Sequence, residues 1–405
     1  MKRDNSWNKL NEMDKKSLQE KMNSYGKGTQ SQANKMPVWV GLLYMLVTVI
    51  GMVYMIRLQG NYLRNVLLIA LVCLLSFCML YFVFAVGQAI CGLISGYKLQ
   101  EVMIFGLRIR KEKGRLRINA VPKKEVAKTI FGLFLMLPPG AYGEDYPVAL
   151  YLYGGKIANW IISALAILLS FTVAGQSVSG MVFLLLGLFN IVNIILIKVL
   201  GDKNGSGKLI EDIKSSAAVR HSYWVIMHHH SLSCEHVRSK DMPEEWFALP
   251  EDDELDNQYC ATVLALAFER EVDALRLDEA RVLGNIALAH INALPEYLSL
   301  AVNIDMLYCE LVSENRAEVI EVLFSDSVKE CMGRKKSVSS YRNMYTYKLF
   351  QNKNEAAAEA QLKLFLNAVD KHPFPFAVEN ERELVEYARQ RFYELLERET
   401  LNPTK

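Results

Sequence analysis

The sequence lacks the closely spaced cysteine pairs that would predict a disulfide framework or a CxxC motif. Its seven cysteines are scattered over 405 residues, and Cys73, Cys78 and Cys91 lie within apolar runs. Because disulfide-rich domains carry paired cysteines, we expect free thiols and a reducing compartment around the polar part of the chain. We also expect no signal peptide, since a long, mostly polar stretch precedes the first apolar run.

Long stretches of the first half lack charge altogether, whereas the second half has the charge density of a soluble protein. A helix needs about 20 largely apolar residues to cross a bilayer. One such run can be a buried core helix, but several in succession predict a polytopic membrane protein. The sequence predicts four spans, at residues 38–56, 66–95, 160–173 and 181–199.

The distribution of lysine and arginine predicts how these spans are oriented. Cytoplasmic loops are rich in these two residues. The N-terminal tail and the loop between the second and third spans are rich in them, whereas the loop after the first span has only Arg57 and Arg64. The tail, that long loop and the C-terminal half are therefore predicted to be cytosolic, in a multi-pass protein of the plasma membrane.

The cytosolic polar tail, residues 1–37, contains one amphipathic stretch. Between Trp7 and Tyr25, apolar residues recur near helical spacing among lysines. Such a helix can lie on an anionic leaflet, with membrane lipids as its partners. A solvated, flexible tail is at least as consistent with this composition.

Between the second and third spans the apolar period changes to two. Apolar and basic residues alternate over residues 107–110 and 115–118, on either side of a turn at 111–114. This pattern predicts an amphipathic β-hairpin at the cytosolic interface, at about residues 102–118. Its outer strand either accepts an extended peptide by strand addition or is covered by the same protein.

The first half also carries an ordered set of features: the long second span, the hairpin, the segment Gly154-Gly155-x-x-Ala158-Asn159, and a final span that bears asparagines. In this order they resemble the site-2 protease family of intramembrane zinc metallopeptidases, over roughly residues 64–215. The resemblance implies a membrane domain at residues 38–200 that includes the hairpin. It also implies an origin in a bacterial membrane.

The resemblance further implies where a zinc site would be, and this sequence has no good ligand there. Family members carry HExxH in a membrane helix, whose histidines bind zinc and whose glutamate polarises water. In the register set by Gly96, the histidine positions are Phe84 and Gln88 and the glutamate position is Ala85. Gly205 stands where the third ligand, an aspartate, is expected. The sequence therefore predicts no bound metal, no other cofactor and no catalytic residue.

Three polar residues within the predicted spans allow two interpretations. Gln88, Asn190 and Asn193 would be costly in lipid unless they face protein. They either line the groove that in proteolytic relatives holds an unwound substrate helix, or they form hydrogen bonds with neighbouring helices. The second interpretation is slightly favoured.

Residues 201–256 are predicted to be a linker that holds a histidine cluster, an aromatic hook at 240–247 and an acidic run at 251–256. Imidazole and thiolate bind transition metals, so a metal site is conceivable. However, adjacent histidines on a helix point in different directions, which favours surface or interface roles. The cluster consists of His221, His228, His229, His230 and His236, with Cys234 among them.

Residues 257–405 are predicted to form a helical domain. Similar joints recur about every forty residues, at 277–280, 315–318 and 353–356. This period resembles that of tetratricopeptide-like repeats, whose concave surfaces bind peptides or proteins. The alternative is a helical domain that packs on its own membrane unit. Together with the aromatic hook, this domain also resembles the cytosolic extension of site-2 protease relatives in Gram-positive bacteria.

The expected fold is therefore mainly α: a bundle of about four transmembrane helices with an interfacial β-hairpin, followed by a cytosolic repeat-like domain. The resemblance implies a pseudoprotease that binds a transmembrane or extended peptide client and recruits a cytosolic protein partner. Two alternatives stay open, an active zinc metallopeptidase of the same family with non-standard ligands and an unrelated four-helix membrane protein. The lack of ionisable residues in the spans disfavours a transporter, and membrane topology explains the basic loops without nucleic acid.

Overall fold

The structure is a computed structural model, which describes residues 7–10, 12–25, 38–57, 62–104, 106–112, 115–120, 133–172, 177–201, 206–372 and 378–401. The chain forms two compact units. One consists of Gln32–Met227, and the other joins Met1–Ser31 to His228–Lys405. We call the first the apolar unit and the second the C-terminal unit.

Four helices make up most of the apolar unit: α2 (Val38–Arg57), α3 (Tyr62–Ile94), α4 (Ala149–Thr172) and α5 (Val178–Gly201). Three of them hold stretches long and apolar enough to cross a membrane, namely Leu63–Ile94, Ala149–Thr172 and Val178–Leu196. The apolar part of α2, Trp39–Val53, is shorter. These helices confirm the mainly helical prediction and the apolar runs on which it was based.

Helix α4 begins well before the predicted start of the third span at residue 160. The prediction placed the Gly154-Gly155 pair at the entry to this helix, before the apolar run that begins at Trp160. In the structure both glycines are buried inside α4. Close contact with α3 offsets their low helix propensity, so the helix continues through them.

The interior of the apolar unit has an apolar cluster that joins α2, α3 and α5. Its members are almost fully buried, so their side chains do not contact the environment of the unit. They are Val40, Val47, Ile69, Val72, Met181, Leu185, Phe189 and Val192. Outward-facing residues of the same helices are also large and apolar, including Leu74, Leu168 and Phe171, which are 61%, 57% and 72% exposed. A helix that is apolar on all sides is typical of a membrane span.

The predicted hairpin is present, but it is half of a larger sheet. Strands β1 (Lys98–Ile104), β2 (Leu107–Glu112), β3 (Arg115–Ala120) and β4 (Leu133–Leu137) form an antiparallel sheet in the order β3-β2-β1-β4. Opposite each other lie Ile109 and Ile118 on one face and Arg110 and Arg117 on the other, as the alternation predicted. Alternation identified only β2 and β3, because β1 and β4 do not alternate regularly.

Strand β1 begins directly after α3, at a turn in which Gly96 has a φ of +84°. The strand carries a buried carboxylate, Glu101, which is 2% exposed. Its Oε1 lies 2.8 Å from Nε of Arg108 on β2, and Arg110 is its direct cross-strand neighbour. The sheet is thus held by charge pairing as well as by its backbone ladder.

The interval 201–256 is less of a linker than the sequence suggested. It contains helices α6 (Ser206–Ser215) and α7 (Ala217–Cys234), and the boundary between the two units falls inside α7. The aromatic hook forms a short 3-10 helix, Glu244–Phe247, whose two aromatic side chains are buried. The acidic run forms another, Asp252–Glu254, whose side chains are not buried.

The C-terminal unit is built of helices that follow one another through short turns. These are α8 (Gln258–Asp273), α9 (Leu277–Ala289), α10 (Glu296–Val312), α11 (Ala317–Leu323), α12 (Asp326–Lys335), α13 (Val338–Phe350), α14 (Glu355–Asp370) and α15 (Glu379–Leu401). Each predicted joint contains or follows a left-handed residue, Leu275, Asn315 or Lys353, with φ of 58°, 55° and 46°. The recurring joints therefore coincide with turns between helices in the structure, while the tetratricopeptide-like assignment stays a prediction.

The N-terminal helix α1 (Glu12–Ser24) belongs to the C-terminal unit and packs on α9 and α12. The side chains of Leu18 and Met22 are completely buried, and Tyr25 is 2% exposed. Both interpretations of this stretch, a leaflet-bound helix and a solvated tail, are therefore wrong for the structure described. Periodicity revealed the apolar face but could not reveal that distant residues of the same chain cover it.

Candidate functional site

The positions that correspond to the family's zinc motif lie where α3 crosses α4 at very short range. A Cβ atom on Gly155 would lie 2.5 Å from the carbonyl oxygen of Phe84 and 2.6 Å from its ring. A Cβ on Gly154 would lie 2.4 Å from Cβ of Cys91, and one on Gly87 would lie 3.0 Å from the carbonyl oxygen of Gly154. Only glycine permits such contact, so these three glycines fix the α3–α4 crossing.

The side chains at the motif positions have few groups that could bind a metal or take part in catalysis. Phe84 and Gln88 are half-buried and Ala85 is 6% exposed. The Phe84 ring packs against the backbone of Gly155 and has no donor atom for a metal. Gly205, the position of the expected aspartate, lies outside the described residues.

A set of amides and hydroxyls connects the helices near this crossing. Nδ2 of Asn159 on α4 donates to the carbonyl oxygen of Leu80 on α3 at 3.0 Å. Nδ2 of Asn190 on α5 donates to Oγ of Ser163 at 2.8 Å. It also lies 3.4 Å from Oδ1 of Asn159. Asn159 and Asn190 are 1% and 0% exposed, so these bonds form inside the protein and bridge three helices.

The second asparagine of α5 extends the same network toward α2. Nδ2 of Asn193 donates to Oγ of Ser76 at 3.2 Å, and the hydroxyl of Tyr44 donates to Oδ1 of Asn193. Asn193 is 1% exposed. Asn190 and Asn193 therefore do not line an open groove: the structure has them bonded to neighbouring helices. We call Tyr44, Ser76, Asn159, Ser163, Asn190 and Asn193 the amide network.

Helix α7 carries most of the histidine cluster, and its imidazoles have separate partners. His221 packs near Tyr142 in the apolar unit, with ring centroids 5.8 Å apart. In the C-terminal unit, His228 packs on Trp246, with ring centroids 6.1 Å apart. Nε2 of His229 lies 3.0 Å from Oγ of Ser239. Because His229 is only 8% exposed, burial lowers its pKa to about 4, with a smaller contribution from His230.

His230 and Cys234 form a pair one helical turn apart, with Nε2 and Sγ separated by 3.6 Å. Two ligands are fewer than the three that a catalytic zinc site needs. Within either unit taken by itself, and among the residues described, no three His, Cys, Asp or Glu side chains lie within metal-binding distance of one another. The histidines thus serve packing and hydrogen bonding in this structure.

A shallow cleft of about 460 Å³ lies in the apolar unit between α4 and α6. Its lining combines an aromatic ring, Tyr153, with the oppositely charged Glu211 and Lys214. Nζ of Lys156 lies 5.6 Å from the centre of the Tyr153 ring. The cleft contains no nucleophile paired with a base, so it does not suggest an active site.

The C-terminal unit buries charged groups as well as amides. Arg342 on α13 is 1% exposed, and its guanidinium lies 2.5 Å from Asp305 and 3.0 Å from Glu381. The same guanidinium stacks 4.9 Å above the Tyr308 ring. Burial raises the pKa of Glu381 to about 7, and Arg342 opposes this shift.

A second buried charge cluster lies at the joint between α10 and α11. Glu310 is 0% exposed and accepts from Nη2 of Arg316 at 2.7 Å and from the backbone N–H of Arg316 at 2.9 Å. Arg281, which is 1% exposed, lies 3.7 Å from both Glu310 and Glu314. These pairs fix the helical turns and involve no group poised for catalysis.

Comparisons with protein-family models, with curated proteins and with solved structures give no significant match. The resemblance to site-2 proteases and to tetratricopeptide-like repeats therefore rests on the sequence features alone. Both assignments stay predictions.

Proposed function

We propose that this chain is a catalytically inactive relative of site-2 proteases that acts as a membrane-embedded scaffold. Its apolar unit would bind a transmembrane or extended peptide client, and its C-terminal unit would recruit a cytosolic protein. The observation that carries the proposal is the α3–α4 crossing, where Phe84 packs against Gly155 at the place of the expected zinc motif.

Coordination chemistry supports the absence of catalysis. Zinc hydrolases need three protein ligands and an open coordination position for water. The positions Phe84, Ala85 and Gln88 supply a ring, a methyl group and a neutral amide. The strong polar groups nearby, Asn159 and Asn190, are engaged in hydrogen bonds between helices.

The place of α1 in the C-terminal unit supports the proposed topology, with both termini in the cytosol. Segments that fold into one unit lie on the same side of a membrane, which requires an even number of crossings. Three helices are long enough on their own. The fourth crossing would be α2, whose 20 residues extend about 30 Å, the thickness of a bilayer core.

The strand arrangement leaves one route open for a peptide client. β3 and β4 are the outer strands of the sheet as described, and each could pair with an extended segment. The helical C-terminal unit is the better candidate for the cytosolic partner, because successive helix pairs create extended surfaces. These two assignments are independent of each other.

Metal analysis tests the proposed loss of catalysis. Purified protein should contain much less than one zinc per chain, whereas the variant Phe84→His/Ala85→Glu/Gln88→His/Gly205→Asp should bind about one. A matched control with Gln88→Asn in place of Gln88→His has one ligand fewer and should bind zinc far more weakly. Imidazole is smaller than a phenyl ring, so Phe84→His fits against Gly155.

Two results would speak against this proposal. Stoichiometric zinc in the natural chain, lost when His228, His229 and His230 are replaced, would favour the alternative of an active peptidase with non-standard ligands. A folded fourfold variant that binds no zinc would instead show that the family register is wrong. In that case the alternative of an unrelated four-helix membrane protein gains support.

A further inference from the structure

The N-terminal helix α1 sits on the C-terminal unit like a bound peptide. Its apolar residues Leu18, Met22 and Tyr25 follow the spacing i, i+4, i+7 and are buried to within 2%. Upstream of the helix, Trp7 and Leu10 are 5% and 6% exposed. This spacing is the one that amphipathic helices use when they bind in a groove.

Polar contacts fix the register of α1 on its seat, which consists of α9, α12 and the turn after α9. Nδ2 of Asn292 donates to Oγ of Ser17 at 2.5 Å. Nζ of Lys21 donates to the carbonyl oxygen of Ile291 at 3.1 Å. Oγ of Ser327 donates to the carbonyl oxygen of Asn23 at 3.1 Å. The contacts are thus distributed along the helix and involve both the turn after α9 and helix α12.

The opposite face of α1 is polar and open. Gln19, Glu20 and Asn23 are exposed, and all three side chains are polar. The helix is 13 residues long, and isolated helices of that length are marginal in water. It therefore gains its order from the seat, as segments do that fold on binding.

We propose that the α9–α12 surface is a binding site for a short amphipathic helix and that α1 is its exchangeable occupant. A partner would present large apolar side chains at i, i+4 and i+7 together with a lysine near its C-terminal end. This inference deepens the proposed function, since it names the class of partner that the C-terminal unit recruits. It does not depend on the metal content of the apolar unit.

Energetics favour exchange over permanent attachment. Burial of three large apolar side chains favours the bound state, and ordering a short helix offsets much of that gain. An isolated α1 peptide should therefore bind with a Kd of about 10 µM. A tethered helix at an effective concentration of about 1 mM would weaken the binding of added peptide about 100-fold.

The test uses the full chain and a fluorescent synthetic peptide of residues 6–26. In the variant Leu18→Asp/Met22→Asp the chain's own helix should leave the seat, and the peptide should bind with micromolar Kd. The natural chain should bind it about 100-fold more weakly. The control Gln19→Asp/Asn23→Asp adds the same charges one turn apart on the exposed face and should behave like the natural chain.

A second form of the chain keeps every residue of α1 and its seat and carries a protease site within residues 26–31. After cleavage, excess labelled peptide should replace the released fragment. Retention of the fragment through gel filtration in excess peptide would overturn the proposal, because α1 would then be a permanent part of the fold. A folded Leu18→Asp/Met22→Asp variant that binds no peptide would overturn it too, and the zinc results would stand unchanged.

Discussion

The described helices α2 to α5 of the apolar unit and the helices of the C-terminal unit bury different sets of polar groups. In the apolar unit, the described helices α2 to α5 bury neutral amides and hydroxyls, such as Asn159, Asn190 and Asn193. In the C-terminal unit, charged side chains are buried to the same degree, among them Arg281, Glu310 and Arg342. Both units satisfy most of these groups internally, but they do so with different chemistry.

Under the proposed topology, this difference follows from the surroundings of each unit. A buried charge in a water-facing domain needs one good partner and remains close to solvent, whereas a charge at the centre of a bilayer has neither water nor salt nearby. A neutral amide costs much less in either place. The burial of neutral groups by α2 to α5 therefore agrees with the three helices of this unit that are long and apolar enough to cross a membrane.

The largest effect is expected from breaking a buried charge cluster. Arg342→Met should destabilise the C-terminal unit by about 3–5 kcal/mol, because Asp305 and Glu381, which are only 22% and 14% exposed, would lose their cation. The control Arg334→Met removes an arginine that is 52% exposed and 3.7 Å from Glu330, and should cost under about 1 kcal/mol.

Hydrogen exchange of the full chain measures this difference. Protection of the α10 and α13 amides should fall by a factor of about 200 to 5000 in Arg342→Met and by less than a factor of about 5 in the control. Equal losses in the two variants would mean that the buried cluster contributes no more than a surface pair. The two units would then differ in which polar groups they bury, but not in how much those groups contribute to stability.

A pH-dependent effect should follow, confined to the C-terminal unit. Burial lowers the pKa of His229 to about 4, against 6.5 in the unfolded chain. The unfolded state therefore binds a proton first as the pH falls. The contribution of His229 to stability should be complete above pH 6.5 and be lost toward pH 4, by up to about 3 kcal/mol. Glu269 and Glu381, whose pKa values burial raises to about 7, act in the opposite direction, so the His229 contribution is the difference between the natural chain and a His229 variant.

His229→Asn should flatten this decline, whereas His221→Gln, in the apolar unit, should leave it unchanged. The measurement is the exchange protection of α8 amides in the full chain between pH 4 and 7, corrected for the intrinsic exchange rate. A decline of the same size in His229→Asn would assign the effect to other groups. The pH-dependent difference between the two units would then not depend on His229.

The sequence predicted features that depend on local patterns. Apolar runs located the long helices, and alternation located β2 and β3 with their correct faces. The joints at 277–280, 315–318 and 353–356 were predicted from similar short segments, and in the structure a left-handed residue lies in or just before each of them. In each case the sequence pattern and the structural feature that it predicts lie within a few neighbouring residues.

Features that depend on distant contacts were missed. The seat of α1 involves Ile291 and Ser327, almost three hundred residues away. The early start of α4 depends on how closely its glycines approach α3. For the candidate site, the sequence named Asn190 and Asn193 but left open whether they face a groove or other helices. Only the positions of Ser76 and Ser163 decide between these two.

The smallest effect is expected from the amide network, and it is the sharpest test of the contrast. Asn159→Leu removes the bonds to Leu80 and Asn190 while keeping a similar side-chain volume. Hydrogen bonds between membrane helices contribute about 0.6 kcal/mol on average and up to about 1.7 kcal/mol, because the unfolded helices also find partners in the membrane. The control Leu168→Asn places an amide on an exposed face of the same helix.

In bilayer-based unfolding measurements, Asn159→Leu should therefore lose about 1 kcal/mol. A loss above about 3 kcal/mol would mean that this amide contributes as much to stability as a buried charge. The polar groups buried in the two units would then not differ in their effect on stability. A loss near zero would instead mean that the glycine crossing alone holds α3 against α4. A small but measurable loss is the expected result, because neutral groups that bridge tightly packed helices add specificity to a contact that van der Waals packing already stabilises.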